Sequence, residues 1–191
     1  SAVHTPRFDR SLLLVRHWCD QLGGRYDELL ARVREAPEQG APGQSLRLAA
    51  VLSRAGVALA PDALARAERA FMADWQPIAR AREAATGQRH ALTHFQWLAA
   101  LFVELHLSQL AASGGRAALV QRLNALREQA FSHLPPVRPV ELNRLALWMA
   151  TGSGKTLMLH LNVRQFLRHA RAILGQEPQR VLLLTPNETL S

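Results

Sequence analysis

The residues best suited to chemistry are six consecutive ones: Thr151, Gly152, Ser153, Gly154, Lys155 and Thr156. The two glycines can take backbone angles that a Cβ atom would forbid, so the chain can approach a phosphate closely. Backbone amides at the start of a helix point toward an anion, and the helix dipole favours negative charge there. Lys155 would reach the outer phosphates of a nucleotide and serve catalysis, and the Thr156 hydroxyl would bind Mg²⁺. The pattern predicts a nucleotide-phosphate loop.

Met149 stands where the strict pattern G-x-x-x-x-G-K-[ST] requires glycine. The flanking sequence compensates, because the loop lies between an apolar run and a long amphipathic segment, as a phosphate loop does. Lys155 is also the only lysine among 23 basic residues. Arginine is preferred elsewhere, as in a GC-rich genome, yet lysine remains where a compact ammonium is needed. A chance Gly-Ser-Gly turn is the alternative, and this context disfavours it.

Around the loop, the sequence predicts a strand, a helix and a second strand. The apolar run 145–150 has strand composition, a helix is expected over 155–174, and a further apolar run covers 181–184. The buried stripe of that helix is expected to consist of apolar residues at helical spacing, namely Leu159, Val163, Phe166, Leu167, Ala170 and Leu174. The predicted fold class is therefore α plus partial α/β, with a helical N-terminal domain followed by the first βαβ portion of a parallel unit.

The N-terminal part reads as a set of helices over 9–22, 26–34, 45–55, 61–83, 90–112 and 117–131, with a kink or break at Pro77. The segment 90–112 is apolar nearly all round, which predicts a central buried helix with Glu104 and His106 on its more solvated side. Three prolines in 134–140 exclude both helix and central strand. The predicted domains are 1–133, helical; 134–144, a linker; and 145–191, the truncated start of a P-loop domain.

The charge, the cysteine content and the length of the apolar stretches limit the classes of partner and location that the sequence allows. The formal net charge is +8 with a pI of about 11.4, a balance that fits contact with nucleic acid, although the arginines are scattered. Cys19 is the only cysteine, which excludes a disulfide framework and fits a cytoplasmic location. No apolar stretch approaches the roughly 20 residues of a membrane span, and none resembles a signal peptide, so no membrane partner is expected.

Two other pairs of residues are candidate sites. His90 and His94 have the i, i+4 spacing that can hold zinc, but no third ligand accompanies them, so ordinary histidines are the default. Asn143 and Arg144 precede the predicted first strand, where an adenine could lie.

The run L-A-L-W-M-A-T-G-S-G-K-T, followed by V-L-L-L-T-P-N-E-T-L, resembles the opening of a superfamily 2 helicase of the DEAD/DEAH-box kind. It is most similar to the helicase subunit of type III restriction enzymes, whose first motif commonly reads M-A-T-G-[ST]-G-K-T. The resemblance covers about 50 residues, from Leu142 to Ser191, and accounts for Met149. It implies a RecA-like P-loop domain, ATP and Mg²⁺ as cofactors, and nucleic-acid contact through Thr185, Pro186 and Asn187.

The resemblance also implies motor parts that this sequence does not contain. A D-E-x-H motif, a coupling motif and a second domain with an arginine finger are missing, and after Thr156 the only acidic residues are Glu177 and Glu188. We therefore expect an N-terminal fragment of an ATP-hydrolysing helicase that is inactive by itself. The expected partners are nucleic acid, with double-stranded DNA named first although the sequence does not separate DNA from RNA, and proteins of a bacterial restriction or defence complex.

Two further functions stay open at this point. One is a helical protein-interaction module whose P-loop segment is not catalytic. The other is a small P-loop kinase or GTPase, which is disfavoured because T-P-N-E-T-L has no role in such an enzyme.

Overall fold

The computed structural model describes residues 12–37, 45–147, 149 and 152–182. These residues form seven α-helices and one 3₁₀ helix: α1 (Leu13–Gln21), α2 (Tyr26–Glu35), α3 (Leu46–Leu52), α4 (Pro61–Thr86), α5 (His94–Ala111), α6 (Gly115–Ala130), the 3₁₀ helix (Pro139–Asn143) and α7 (Lys155–Leu174). Helix α4 continues through Pro77, where a kink or break was expected. None of these helices combines the length and the apolar character that crossing a bilayer requires.

Helix α5 lies at the centre and packs against α2, α4, α6 and α7. It begins at His94 because Thr93 and Gln96 form a capping box: the Thr93 amide donates to Gln96 Oε1 at 3.0 Å, and the Gln96 amide donates to Thr93 Oγ1. The central, buried position predicted for this segment is confirmed. The solvated side predicted for Glu104 and His106 is wrong, since each is only 1% exposed.

Helix α7 belongs to the same apolar core as the N-terminal helices. Its Met158 and Leu161 are fully buried in one cluster with Phe71 of α4 and with Trp97 and Leu101 of α5. The predicted bounds of α7, 155–174, are confirmed. The division into two domains stays a prediction, but the helix after the predicted linker shares its core with the helices before it.

The predicted fold class is wrong in its α/β part, because the described residues are helical and contain no strand. The backbone is extended at Arg144, but Leu145 and Leu147 are 41% and 42% exposed and form no ladder. A run of strand composition needs a neighbouring strand for its amides and carbonyls, and no neighbour is described here. Of the second predicted strand, residues 181 and 182 form no strand, and 183–184 lie outside the described residues.

The predicted buried stripe of α7 is wrong for three of its six residues, whereas Val163 and Phe166 are half-buried. Leu159, Leu167 and Leu174 are 37%, 41% and 49% exposed, although Ala170 is buried. The face that packs on α5 instead carries Met158, Leu161 and Gln165. The buried face includes a polar residue, Gln165, whose amide donates to the Ala100 carbonyl and to Glu104, and apolar periodicity alone does not predict such a residue in the core.

Candidate phosphate-binding site

The loop before α7 has the backbone shape that its glycines allow. Gly152 and Gly154 have φ of +78° and +82°, in the left-handed region that L side chains rarely adopt. Gly154 is the N-cap of α7, so no side chain caps this helix start. Its carbonyl accepts the Met158 amide at 3.1 Å. The amides of the first helical turn therefore have no partner within the helix and can bind an anion.

The two residues predicted to meet phosphate and metal open the helix. Lys155 and Thr156 occupy its first two positions, and both are exposed. The described residues thus bring Gly152, Ser153, Gly154, Lys155 and Thr156 together in one turn. Thr151 lies outside the described residues, as do Thr185, Pro186 and Asn187.

A side chain of α5 holds the loop in place. The amide Nε2 of Gln96, a residue only 6% exposed, donates to the Ser153 carbonyl at 2.8 Å. A Cβ at Gly154 would come within 2.5 Å of the same nitrogen. Sequence reasoning missed Gln96. The T-x-x-Q pattern from Thr93 does predict a helix start, but nothing local connects Gln96 to a loop 57 residues away.

Further along α7, an ionic cluster around the buried carboxylate of Glu104 fastens the helix to α5 and α4. Arg168 donates to both carboxylate oxygens of Glu104, at 2.7 and 2.8 Å, and to Asp74 at 2.6 Å. His169 lies 2.8 Å from Glu104, and Gln165 donates to Glu104 at 3.1 Å. We call these five residues the Glu104 cluster. It fixes the axial position and rotation of the helix that carries the loop.

The ionisation of the Glu104 cluster follows from these contacts. Burial alone would raise the pKa of Glu104, but the hydrogen bonds from Arg168 and His169 outweigh it and lower the pKa to about 2. The hydrogen bond to Glu104, helped by Asp74, raises the pKa of Arg168 against the effect of burial. Glu104 is therefore a carboxylate at neutral pH, and its role is to position α7.

The chain ahead of the loop is tied to α5 as well. His106 Nε2 donates to the Leu142 carbonyl at 3.1 Å, and burial lowers the pKa of His106, so the ring is neutral. Asn143 and Arg144, the candidates for adenine contact, are exposed. No group of three or more potential metal ligands occurs among the described residues. Any Mg²⁺ here would be held chiefly by Thr156 and by the phosphates themselves.

No family model, curated protein or solved structure matches this chain. The resemblance to a helicase therefore depends on the quoted residues alone.

Proposed function

We propose that the loop 151–156 binds the phosphates of ATP with Mg²⁺, and that the chain is the N-terminal part of an ATP-dependent nucleic-acid helicase or translocase. The observation that carries the proposal is the T-G-S-G-K-T sequence at the start of α7, with both glycines left-handed and Lys155 exposed at the first helical position. Amides, one compact cation and one hydroxyl are the groups that a polyphosphate with Mg²⁺ requires.

The wider setting follows the helicase resemblance and the charge of the chain. A net charge of +8 supports nucleic acid as the partner. The helicase resemblance, and not the charge, suggests double-stranded DNA. A bacterial restriction or defence complex in the cytoplasm, with further protein partners, is the setting that the resemblance suggests.

By itself the 191-residue chain should not turn over ATP. Phosphoryl transfer in such motors is mainly positioning and electrostatic stabilisation, and an arginine finger alone contributes roughly 10³ to 10⁵ in rate. In the described structure, Glu104 and Asp74 are occupied in fastening α7. The site can hold a nucleotide, but it has no carboxylate assigned to metal or water.

A second function, a helical protein-interaction module, is favoured by one specific observation. Leu159, Leu167 and Leu174 are each exposed on α7 although apolar, and exposed apolar surface can mark an interaction site. Under this alternative the loop is only the N-terminal turn of a core helix, and the chain does not bind nucleotide.

Calorimetric titration with MgATP separates the two functions. We compare the wild-type chain with Lys155→Ala and, as matched control, Lys155→Arg, which keeps the charge but replaces the compact ammonium. ATP binding by the wild type, with at least tenfold loss in Lys155→Ala and unchanged melting temperatures, supports the proposal. Absence of ATP binding, or equal binding by Lys155→Ala, contradicts it. Phosphate release above the Lys155→Ala background would show that the chain has its own catalytic acid.

A further inference from the structure

An apolar pocket of about 120 Å³ lies between α1, α2, α5 and the chain that leads into the loop. Its walls include three aromatic rings, those of Tyr26, Phe95 and Phe102. Leu147 and Met149 line the side nearest the loop in sequence. Among the residues that the structure describes, no charged side chain lines it, so it suits a neutral, flat and largely apolar group and not a phosphate.

The pocket accounts for an irregularity in α5. Most apolar residues of this helix are fully buried, yet Phe95, Ala99 and Phe102 are only half-buried. They follow one another at i, i+4 and i+7, so they form one stripe of the helix, and all three line the pocket. The open stripe of the central helix is therefore an aromatic surface against which a planar ring could stack.

Two independent observations place the pocket close to the phosphate loop. Met149 precedes Gly152 by three residues, so their Cα atoms are at most about 11 Å apart. Phe95 is the chain neighbour of Gln96, whose amide holds the Ser153 carbonyl at 2.8 Å. A nucleoside triphosphate spans a similar distance between its base and its outer phosphates.

The size of the pocket also matches a single ring system. A dry apolar cavity of roughly 150 Å³ accepts benzene, whereas one water occupies about 30 Å³ of liquid. Stacking of a base on aromatic side chains contributes roughly 1 to 3 kcal/mol, or between about 5-fold and about 150-fold in affinity. A pocket of about 120 Å³ can therefore take one ring of a purine against the aromatic stripe of α5, with the rest of the base outside it.

We propose that this pocket binds the base of the nucleotide whose phosphates lie at Gly152–Thr156. The inference rests on the proposed function and adds to it a base site on the helical part of the chain. It assigns the base to Phe95, Ala99 and Phe102 of α5 and to Met149, and not to the exposed Asn143 and Arg144.

The test compares two probes, MgATP and Mg-tripolyphosphate, which carries no base but at least as much charge. Wild-type chain should bind MgATP at least about 5-fold more tightly. Ala99→Phe, which fills the pocket, should remove this preference and leave tripolyphosphate binding unchanged. The matched control is Ala81→Phe, the same change at an exposed helical position of α4, and it should behave as wild type.

The outcomes keep the two proposals apart. Equal binding of both probes by wild type, with loss of both in Lys155→Ala, overturns the base site and leaves the phosphate loop intact. If neither probe binds wild type, the proposed function fails, and the base site fails with it. If Ala99→Phe does not fold by melting, Phe102→Leu removes one aromatic wall without adding bulk and should lower only ATP affinity. An unchanged ATP preference in Phe102→Leu would then contradict the base site.

Discussion

Replacing Glu104 by glutamine should destabilise the chain far more than removing an exposed carboxylate. The Glu104 side chain is 2% exposed and accepts hydrogen bonds from Arg168, His169 and Gln165. The substitution keeps the shape but removes the charge that Arg168 faces. Arg168 keeps Asp74 as an ion-pair partner, and its side chain is 33% exposed to solvent. Its charge is therefore only partly uncompensated after the substitution.

Two lines of reasoning give the same magnitude. Breaking a buried ion pair by removing one partner costs roughly 3–5 kcal/mol, and the exposure of Arg168 places this case at the lower end. A Glu104 pKa lowered from 4.5 to about 2 corresponds to about 3 kcal/mol at 1.36 kcal/mol per pKa unit. We therefore expect Glu104→Gln to lower the free energy of unfolding by about 3 kcal/mol at pH 7.

The assay is urea unfolding at pH 7 and at a series of lower pH values. The matched control is Asp20→Asn, which breaks the exposed i, i+4 pair with Arg16 and should cost below about 1 kcal/mol. Because the pKa of Glu104 is lowered in the folded state, its contribution is complete above pH 4.5 and disappears as the pH falls toward 2. A loss no larger than that of Asp20→Asn, or one that persists at pH 2, would refute this reasoning.

Two further predictions concern the loop and the core. Gly154→Ala should cost about 1–2 kcal/mol through its left-handed backbone and weaken phosphate binding at least tenfold by displacing Gln96. The control is Gly87→Ala, because Gly87 is also left-handed, with φ of +68°, but an added Cβ there would have nothing within 4 Å. It should lower the free energy of unfolding by a similar amount and leave phosphate binding unchanged. Equal phosphate binding by the two variants would contradict the role of Gln96. Burial, with Arg122 nearby, lowers the pKa of His17 from 6.5 to about 4. As the pH falls, the unfolded chain therefore takes up a proton at this residue before the folded chain does. The free energy of unfolding should fall by up to about 3 kcal/mol between pH 6.5 and 4. His17→Leu should flatten the dependence of melting temperature on pH across that window, and an unchanged slope would show that His17 does not titrate as described.

Local signals in the sequence predicted much of the helical structure. The bounds of α7 follow from Gly154 and Gly175, both left-handed glycines that flank a long amphipathic segment. Ser45 caps α3, its hydroxyl accepting the Leu48 amide at 3.1 Å, and serine is a residue type that favours this position. Each of these features depends on residues within a few positions of one another, which is the range over which sequence patterns are informative.

The failures concern residues far apart in sequence. Glu104 is buried with its charge paired by Arg168 and with a hydrogen bond to His169, both more than sixty residues later, and no spacing rule reveals these contacts. The same contacts turn the polar face of α7 toward α5 and leave Leu167 exposed. The strand predicted at 145–150 had the right composition, but strand formation depends on a neighbour that the run itself does not specify.

The most direct measurement of the central claim is a ¹H–¹⁵N NMR titration of the chain with MgATP. If the loop binds phosphate, the amide signals of Gly152, Gly154, Lys155 and Thr156 should shift together and saturate, because these backbone groups would donate to the phosphate oxygens. The amide of Gly175, a left-handed glycine at the other end of α7, should remain unchanged. Saturating shifts at the loop that disappear in Lys155→Ala are the predicted result, and loop amides that do not move at any MgATP concentration would contradict the claim.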